Sequence, residues 1–174
     1  GASVLVPDEV YFDGNSQGGI IGGATTAVST EWTKAVLGVP GMNYSLLLSR
    51  SVDFDTYLAV LRTAYPDPTD QQIIFGVLQM LWDRAETNGY AQHLTADPYP
   101  GTKQHQVLLH VGFGDHQVSS YSAEFLARTI DAKLRWPALA SGRHPDARPF
   151  FGLDTVEGDG GGESMLVYFD SGTL

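Results

Sequence analysis

Phe12-Asp13-Gly14-Asn15-Ser16-Gln17-Gly18-Gly19 is the stretch on which the fold turns. Residues 9–13 lead into it as a β-branched and aromatic run that ends in glycine, the pattern of a short buried strand. Beyond it, residues 20–28 are small and apolar. Gly22, Gly23 and Ala24 sit together there, a helix-weakening combination that makes sense where a helix packs closely against a neighbour. Strand, sharp turn and helix is the simplest parse. Within the turn, Gly14-Asn15-Ser16-Gln17-Gly18 fits the pattern G-x-S-x-G. Flanking glycines remove side chains that would collide in so tight a turn, which lifts Ser16 Oγ above the sheet edge. The amide of Gln17 points to the same place from a helix N-terminus, where partial positive charge favours a developing oxyanion. A glycine-rich turn also contains a serine by chance; the strand before and the helix after are the context that the chemistry demands.

Outward from this turn, apolar runs and helical periodicities alternate. Residues 35–39 read as a fully buried strand stopped by Pro40-Gly41, residues 106–114 as a third strand ending in glycines, and residues 164–170 as the last. Helical spacing covers residues 44–65. After the break at Pro66-Asp67-Pro68-Thr69-Asp70 it resumes over residues 71–89 with Gly89 as C-cap, and again over residues 118–130. Residues 4–6 form a short apolar lead, residues 133–139 a short extended segment and residues 140–162 a polar loop. The class expected is α/β, a mostly parallel sheet flanked by helices.

Composition narrows the function. The chain has 174 residues, 43% hydrophobic, enough for a packed core in one domain-sized unit. Twenty acidic residues against ten Lys and Arg give a net charge of −10, which works against a phosphate-tracking nucleic-acid surface or adhesion to an anionic membrane. No apolar run approaches the roughly 20 residues of a membrane span. Without cysteine there is no thiolate nucleophile or Cys-based zinc site.

A second constellation follows the third strand. Asp115 directly after a buried strand, at the sheet edge shared with Ser16, is placed to orient a histidine; alternatively, it caps the helix that begins near Val118. The histidines divide by context. His116 adjoins Asp115 and points elsewhere. His93 and His105 read as surface positions and His110 as a core residue. His144, in the polar loop, is a candidate substitute base within the chain, ahead of His116. No His-x₃-His or paired carboxylates at ligand spacing suggest a metal, and Asp53 and Asp55 read as a helix-start pair.

These segments together resemble the α/β-hydrolase superfamily, in particular its esterase, lipase and serine-peptidase-like members. Residues 12–19 resemble the strand-and-elbow, residues 34–40 the strand after it, and His110-Val111-Gly112-Phe113-Gly114-Asp115-His116-Gln117-Val118 the acid-bearing loop, with residues 164–170 as the final strand. The resemblance implies that Ser16 is the nucleophile, the Gln17 N–H an oxyanion donor and Asp115 the acid. The reaction it implies is cofactor-free hydrolysis of a small-molecule carboxylic ester through an acyl-Ser16 intermediate. It spans only the C-terminal half of such a domain. Fifteen residues precede Ser16 and no histidine follows His144, so the second oxyanion donor and the usual base are expected outside the chain. A missing N-terminal half, or another chain, is expected to cover the sheet edge. Residues 43–95 are expected to form a helical cap, or else ordinary sheet-covering helices. The alternative from another class is a non-catalytic, hydrolase-like binding or assembly module.

Overall fold

A computed structural model describes residue 6 and residues 8–172; of the apolar lead at 4–6, only Val6 falls among them. The elements, in chain order, are β1 (Phe12–Asn15), α1 (Gln17–Ala27), β2 (Lys34–Gly38), α2 (Tyr44–Leu48), α3 (Asp55–Ala64), α4 (Pro68–Trp82), α5 (Gln92–Thr95), β3 (Gln106–Gly112), α6 (Ser120–Thr129), β4 (Lys133–Trp136), β5 (Thr155–Glu157) and β6 (Met165–Phe169). The six strands form one sheet in the order β1-β2-β3-β6-β4-β5, and every pairing is parallel. This is an α/β fold.

Several boundaries move for local reasons. β1 starts at Phe12 rather than at residue 9, because among the described residues it pairs with β2 alone and pairing begins where Phe12 meets Ala35. The periodic stretch 44–65 is broken: α2 is capped by the Asn43 side chain, which accepts from the Leu46 N–H at 2.9 Å, and Ser51 starts a 3₁₀ turn at Val52–Phe54 before α3. α4 begins at Pro68, since Asp67 accepts from the Thr69 N–H at 2.7 Å and proline suits the first helical turn. It ends at Trp82, well before Gly89, which closes a separate 3₁₀ turn at Thr87–Gly89. β5, inside the expected polar loop, escaped the pattern because it is three residues long and mostly exposed.

The main core lies on one face of the sheet. Ala35, Leu37, Val107, Leu109, Leu134 and Leu166 point there and meet Ala27 of α1, Leu94 of α5, and Ala123, Leu126 and Ala127 of α6. A smaller cluster forms at the carboxyl edge, where Leu47 of α2 meets Ile20 and Val118, with Val39, Tyr44 and Leu48 packed against them. Leu108 and Met165, on the opposite face, stay only half-buried. Among the described residues no helix is long and apolar enough to cross a membrane.

Candidate functional site

Because the strands are parallel, β1, β2 and β3 all end at one edge, with Asn15, Gly38 and His110 in register. Ser16 is the first residue beyond β1 and the residue before α1, with φ 56° and ψ −120°. That conformation lies outside the three regions open to L-residues. It is held by both ends of the peptide. The Ser16 N–H donates to Gly38 O at 3.0 Å, and Ser16 O accepts from the N–H groups of Gly19 at 2.8 Å and Ile20 at 2.9 Å. Gln17 and Gly18 are the first two helical residues, whose amides have no acceptor within the helix. Ser16, Gln17 and Gly18 are exposed.

The glycines of this turn have unequal duties. A Cβ on Gly14 would run into the Gly18 carbonyl, and one on Gly19 into the Gly38 carbonyl, while one on Gly18 would meet nothing. The tight pair is therefore Gly14 and Gly19, so the last glycine of the five-residue pattern is not sterically required. Gly19→Ala is expected to lower the unfolding free energy by about 1–3 kcal/mol, as overpacking against backbone does. Gly18→Ala should leave it unchanged or raise it by up to about 1 kcal/mol through helix propensity. Urea titrations of the two variants check this ordering.

Asp115 follows β3, three residues beyond Gly112. Its Oδ1 accepts from the N–H groups of Gln117 at 2.8 Å and Val118 at 3.0 Å. It thus pins a turn ahead of α6, which starts only at Ser120. Ser16 and Asp115 follow strands that end at the same edge with β2 between them. The apolar cluster of Ile20, Leu47 and Val118 lies at this edge, joining α2 to the turn after each strand. The segment carrying α2 and α3 is also tied to the acid turn directly. The Val52 N–H donates to His116 O at 3.0 Å, and Gln117 Nε2 donates to Asp53 Oδ1 at 3.2 Å.

No imidazole is bonded to Asp115 among the described residues. His144 lies beside the loop, its ring 5.7 Å from that of Phe113 and 5.5 Å from that of Phe150, but its Nδ1 accepts from the Asp146 N–H at 3.1 Å. His116 is exposed. His105, expected at the surface, is buried to 2% exposure, and burial lowers its pKa. His110, expected in the core, lies half-buried on the opposite face, with its ring edge-on to Phe169 at 5.3 Å. Burial lowers its pKa too, against the pull of the Asp13 carboxylate. Arg143, next to His144, grips Asp170 just past β6 through two bonds of 2.6 and 2.8 Å, holding the Asp170 pKa down at about 2. Among the described residues no three His, Asp or Glu side chains cluster as metal ligands.

One buried group had no signal in the sequence. Glu86 is 0% exposed and lies in an ordinary polar run, yet it fastens α2 and α4 together. Its Oε1 accepts from the Tyr44 N–H at 3.0 Å and from Gln79 Nε2 at 2.5 Å, and its Oε2 from the Asn88 N–H at 3.0 Å. Next to it, the Thr87 hydroxyl donates to Ile20 O, so the same stretch also holds α1 one turn beyond Ser16. Burial, the largest influence, raises the Glu86 pKa above the usual carboxylate range. A carboxyl with a raised folded-state pKa contributes stability in full below its unfolded pKa and loses that contribution as pH rises through the folded value. In Glu86→Gln the amide nitrogen, placed at Oε2, would face the Asn88 N–H, at a cost of about 1–3 kcal/mol. The destabilisation by Glu86→Gln should therefore be larger in acid than at neutral pH; denaturant curves at both values measure the difference.

Four clefts of about 330, 470, 390 and 450 Å³ are not lined by Ser16. One of about 450 Å³ lies between α6 and the loop of His144, lined by Glu124, Arg128, His144 and Phe150 among others, and another of about 390 Å³ lies among α3 and α4. No protein-family model, no curated protein and no solved structure matches this chain.

Proposed function

We propose that the chain is the nucleophile- and acid-bearing half of a serine hydrolase of the α/β-hydrolase type, cleaving small carboxylic esters through an acyl-Ser16 intermediate. The observation that carries this reading is the backbone of Ser16, a serine held at φ 56° and ψ −120° between a strand and a helix N-terminus. Backbone strain of that kind costs about 1–3 kcal/mol and persists where a site uses it. Ser16 Oγ adds to the ester carbonyl as an imidazole takes its proton. The oxyanion receives the Gln17 N–H, and collapse of the tetrahedral intermediate expels the alcohol, which takes the proton from the imidazole. Water then releases the acid by the same steps in reverse.

Asp115 orients the imidazole and stabilises its cation through Oδ2, since Oδ1 is engaged by the turn. The imidazole comes from polypeptide outside these 174 residues; His144 is the substitute within the chain, but its Nδ1 is occupied by the Asp146 amide. Residues 43–95 act as a cap, anchored at this edge where Leu47 and Leu48 of α2 pack beside Ile20, Val39 and Val118.

The absence of an imidazole bonded to Asp115 among the described residues favours a second reading, a non-catalytic hydrolase-like module for binding or assembly. A fluorophosphonate separates the two. On the full-length polypeptide, Ser16 Oγ displaces fluoride and carries the phosphonyl mass on its own peptide, and Ser16→Ala abolishes the label. Equal labelling of Ser16→Ala removes the nucleophile assignment. A folded, unlabelled protein supports the non-catalytic module.

A further inference from the structure

The inner face of α4 is committed to the rest of the chain. Gln71, Phe75 and Gln79 are buried there. The Phe75 ring lies 5.9 Å from that of Phe54 and 6.5 Å from that of Trp82, and Gln79 accepts from the Ser45 N–H at 2.9 Å. These contacts fix the rotation of the helix about its axis. At about 100° per residue, the opposite face then carries Asp70, Ile73, Val77, Met80, Leu81 and Arg84. Arg84 lies just past Trp82 but keeps to the helical line, since its N–H donates to Leu81 O at 3.3 Å and the Asp83 N–H to Gln79 O at 2.8 Å. Ile73, Val77, Met80 and Leu81 are between 59% and 71% exposed, and no exposed position between Asp70 and Arg84 carries a charge.

This row is symmetric about its middle. Asp70 and Arg84 lie seven residues either side of Val77, and Ile73 and Leu81 lie four either side. A two-fold axis through Val77, perpendicular to the helix, sets two copies of α4 antiparallel. Asp70 then meets the partner's Arg84 at both ends, Ile73 meets the partner's Leu81, and Val77 meets the partner's Val77. A two-fold contact uses one patch twice, so the patch must complement itself. An acid and a base at equal distances from the centre do that, and they also set the register. Asp70 and Arg84 are exposed, and neither has an ion-pair partner among the described residues. Gly76 stands beside the centre. Glycine weakens a helix interior, yet a Cβ there would meet nothing, so no neighbour within the described residues calls for it.

We infer that the outer face of α4 is an interface with a second copy of this chain, the two helices packing antiparallel about Val77. The net charge of −10 on each copy opposes approach at long range, but charges more than about 8 Å apart are largely screened at physiological ionic strength. The contact itself brings together apolar side chains and opposite charges. One helix pair is a small interface, so the dimer is weak and reversible, in the micromolar range. The inference stands apart from the chemistry at Ser16 and from either reading of the function.

Sedimentation equilibrium on the full-length polypeptide tests it, with melting temperatures to show that each variant folds. The parent should pass from monomer to dimer as its concentration rises. Val77→Lys sets two ammonium groups together at the axis and should raise the dimer dissociation constant about 100-fold or more. Asp70→Arg and Arg84→Asp each place like charges at both ends and should raise it about 10-fold. The double variant Asp70→Arg with Arg84→Asp restores opposite charges and should return the constant to within about threefold of the parent. Both single changes also oppose the helix dipole, so recovery in the double variant cannot come from a firmer helix. A monomer at every concentration overturns the inference, whether a lipid surface or another segment covers α4. A dimer that survives Val77→Lys overturns it too, because its interface lies elsewhere. Two weakened single variants without recovery in the double one overturn the antiparallel register. Fluorophosphonate labelling of Ser16 is read separately, so the two proposals fail separately.

Discussion

Ser16→Gly is expected to make the protein more stable, by about 1 kcal/mol, while removing all ester hydrolysis. The two effects come from one residue. At φ 56° and ψ −120° a side chain is strained by about 1–3 kcal/mol, and glycine relieves that strain, less about 0.5–1 kcal/mol for the added freedom of its unfolded chain. Ser16→Ala keeps the Cβ and hence the strain, so its stability should stay within about 0.5 kcal/mol of the parent. Both variants lack the hydroxyl, and kcat on a short-chain p-nitrophenyl ester should fall on the order of 10⁶-fold, as loss of a serine nucleophile does. Thermal melts beside rates on the full-length polypeptide test the pair. If Ser16→Gly destabilises, the backbone there holds no strain to release, and the observation that carries the proposed function goes with it.

What could be read ahead of the structure was local, and what could not was set by distant parts of the chain. β2, β3 and β6 announce themselves as short apolar runs bounded by turn residues, although burial alternates along β3. The turn at Ser16 is legible for the same reason, its glycines and serine lying within a few residues. The order of the strands is not. Nothing in residues 165–169 says that β6 inserts between β3 and β4, since parallel neighbours are chosen by crossovers rather than by their own side chains. Glu86 is hidden in the same way. Its burial depends on the amide of Tyr44, 42 residues earlier, so the run around it reads as surface. His105 looks exposed among Gln104 and Gln106, yet its backbone N–H is bound to Leu94 O at 2.8 Å, which draws it beneath α5.

Asp115 is where local and distant readings meet, and two substitutions separate them. If Asp115 only pins its turn, what matters is an oxygen that accepts from the N–H groups of Gln117 and Val118. Asparagine keeps that oxygen. Asp115→Asn should then be silent in both melting temperature and rate, while Asp115→Ala loses both bonds and about 1–2 kcal/mol of stability. If Asp115 also orients and stabilises the imidazolium, Asp115→Asn keeps the fold but offers the wrong partner to the ring, and kcat should drop about 10⁴-fold. We expect the second pattern: Asp115→Asn stable and nearly inactive, Asp115→Ala destabilised and equally inactive. The turn uses only Oδ1, which leaves Oδ2 as the atom whose charge the asparagine removes. An active Asp115→Asn would return the residue to a structural role and leave the acid of the reaction unassigned.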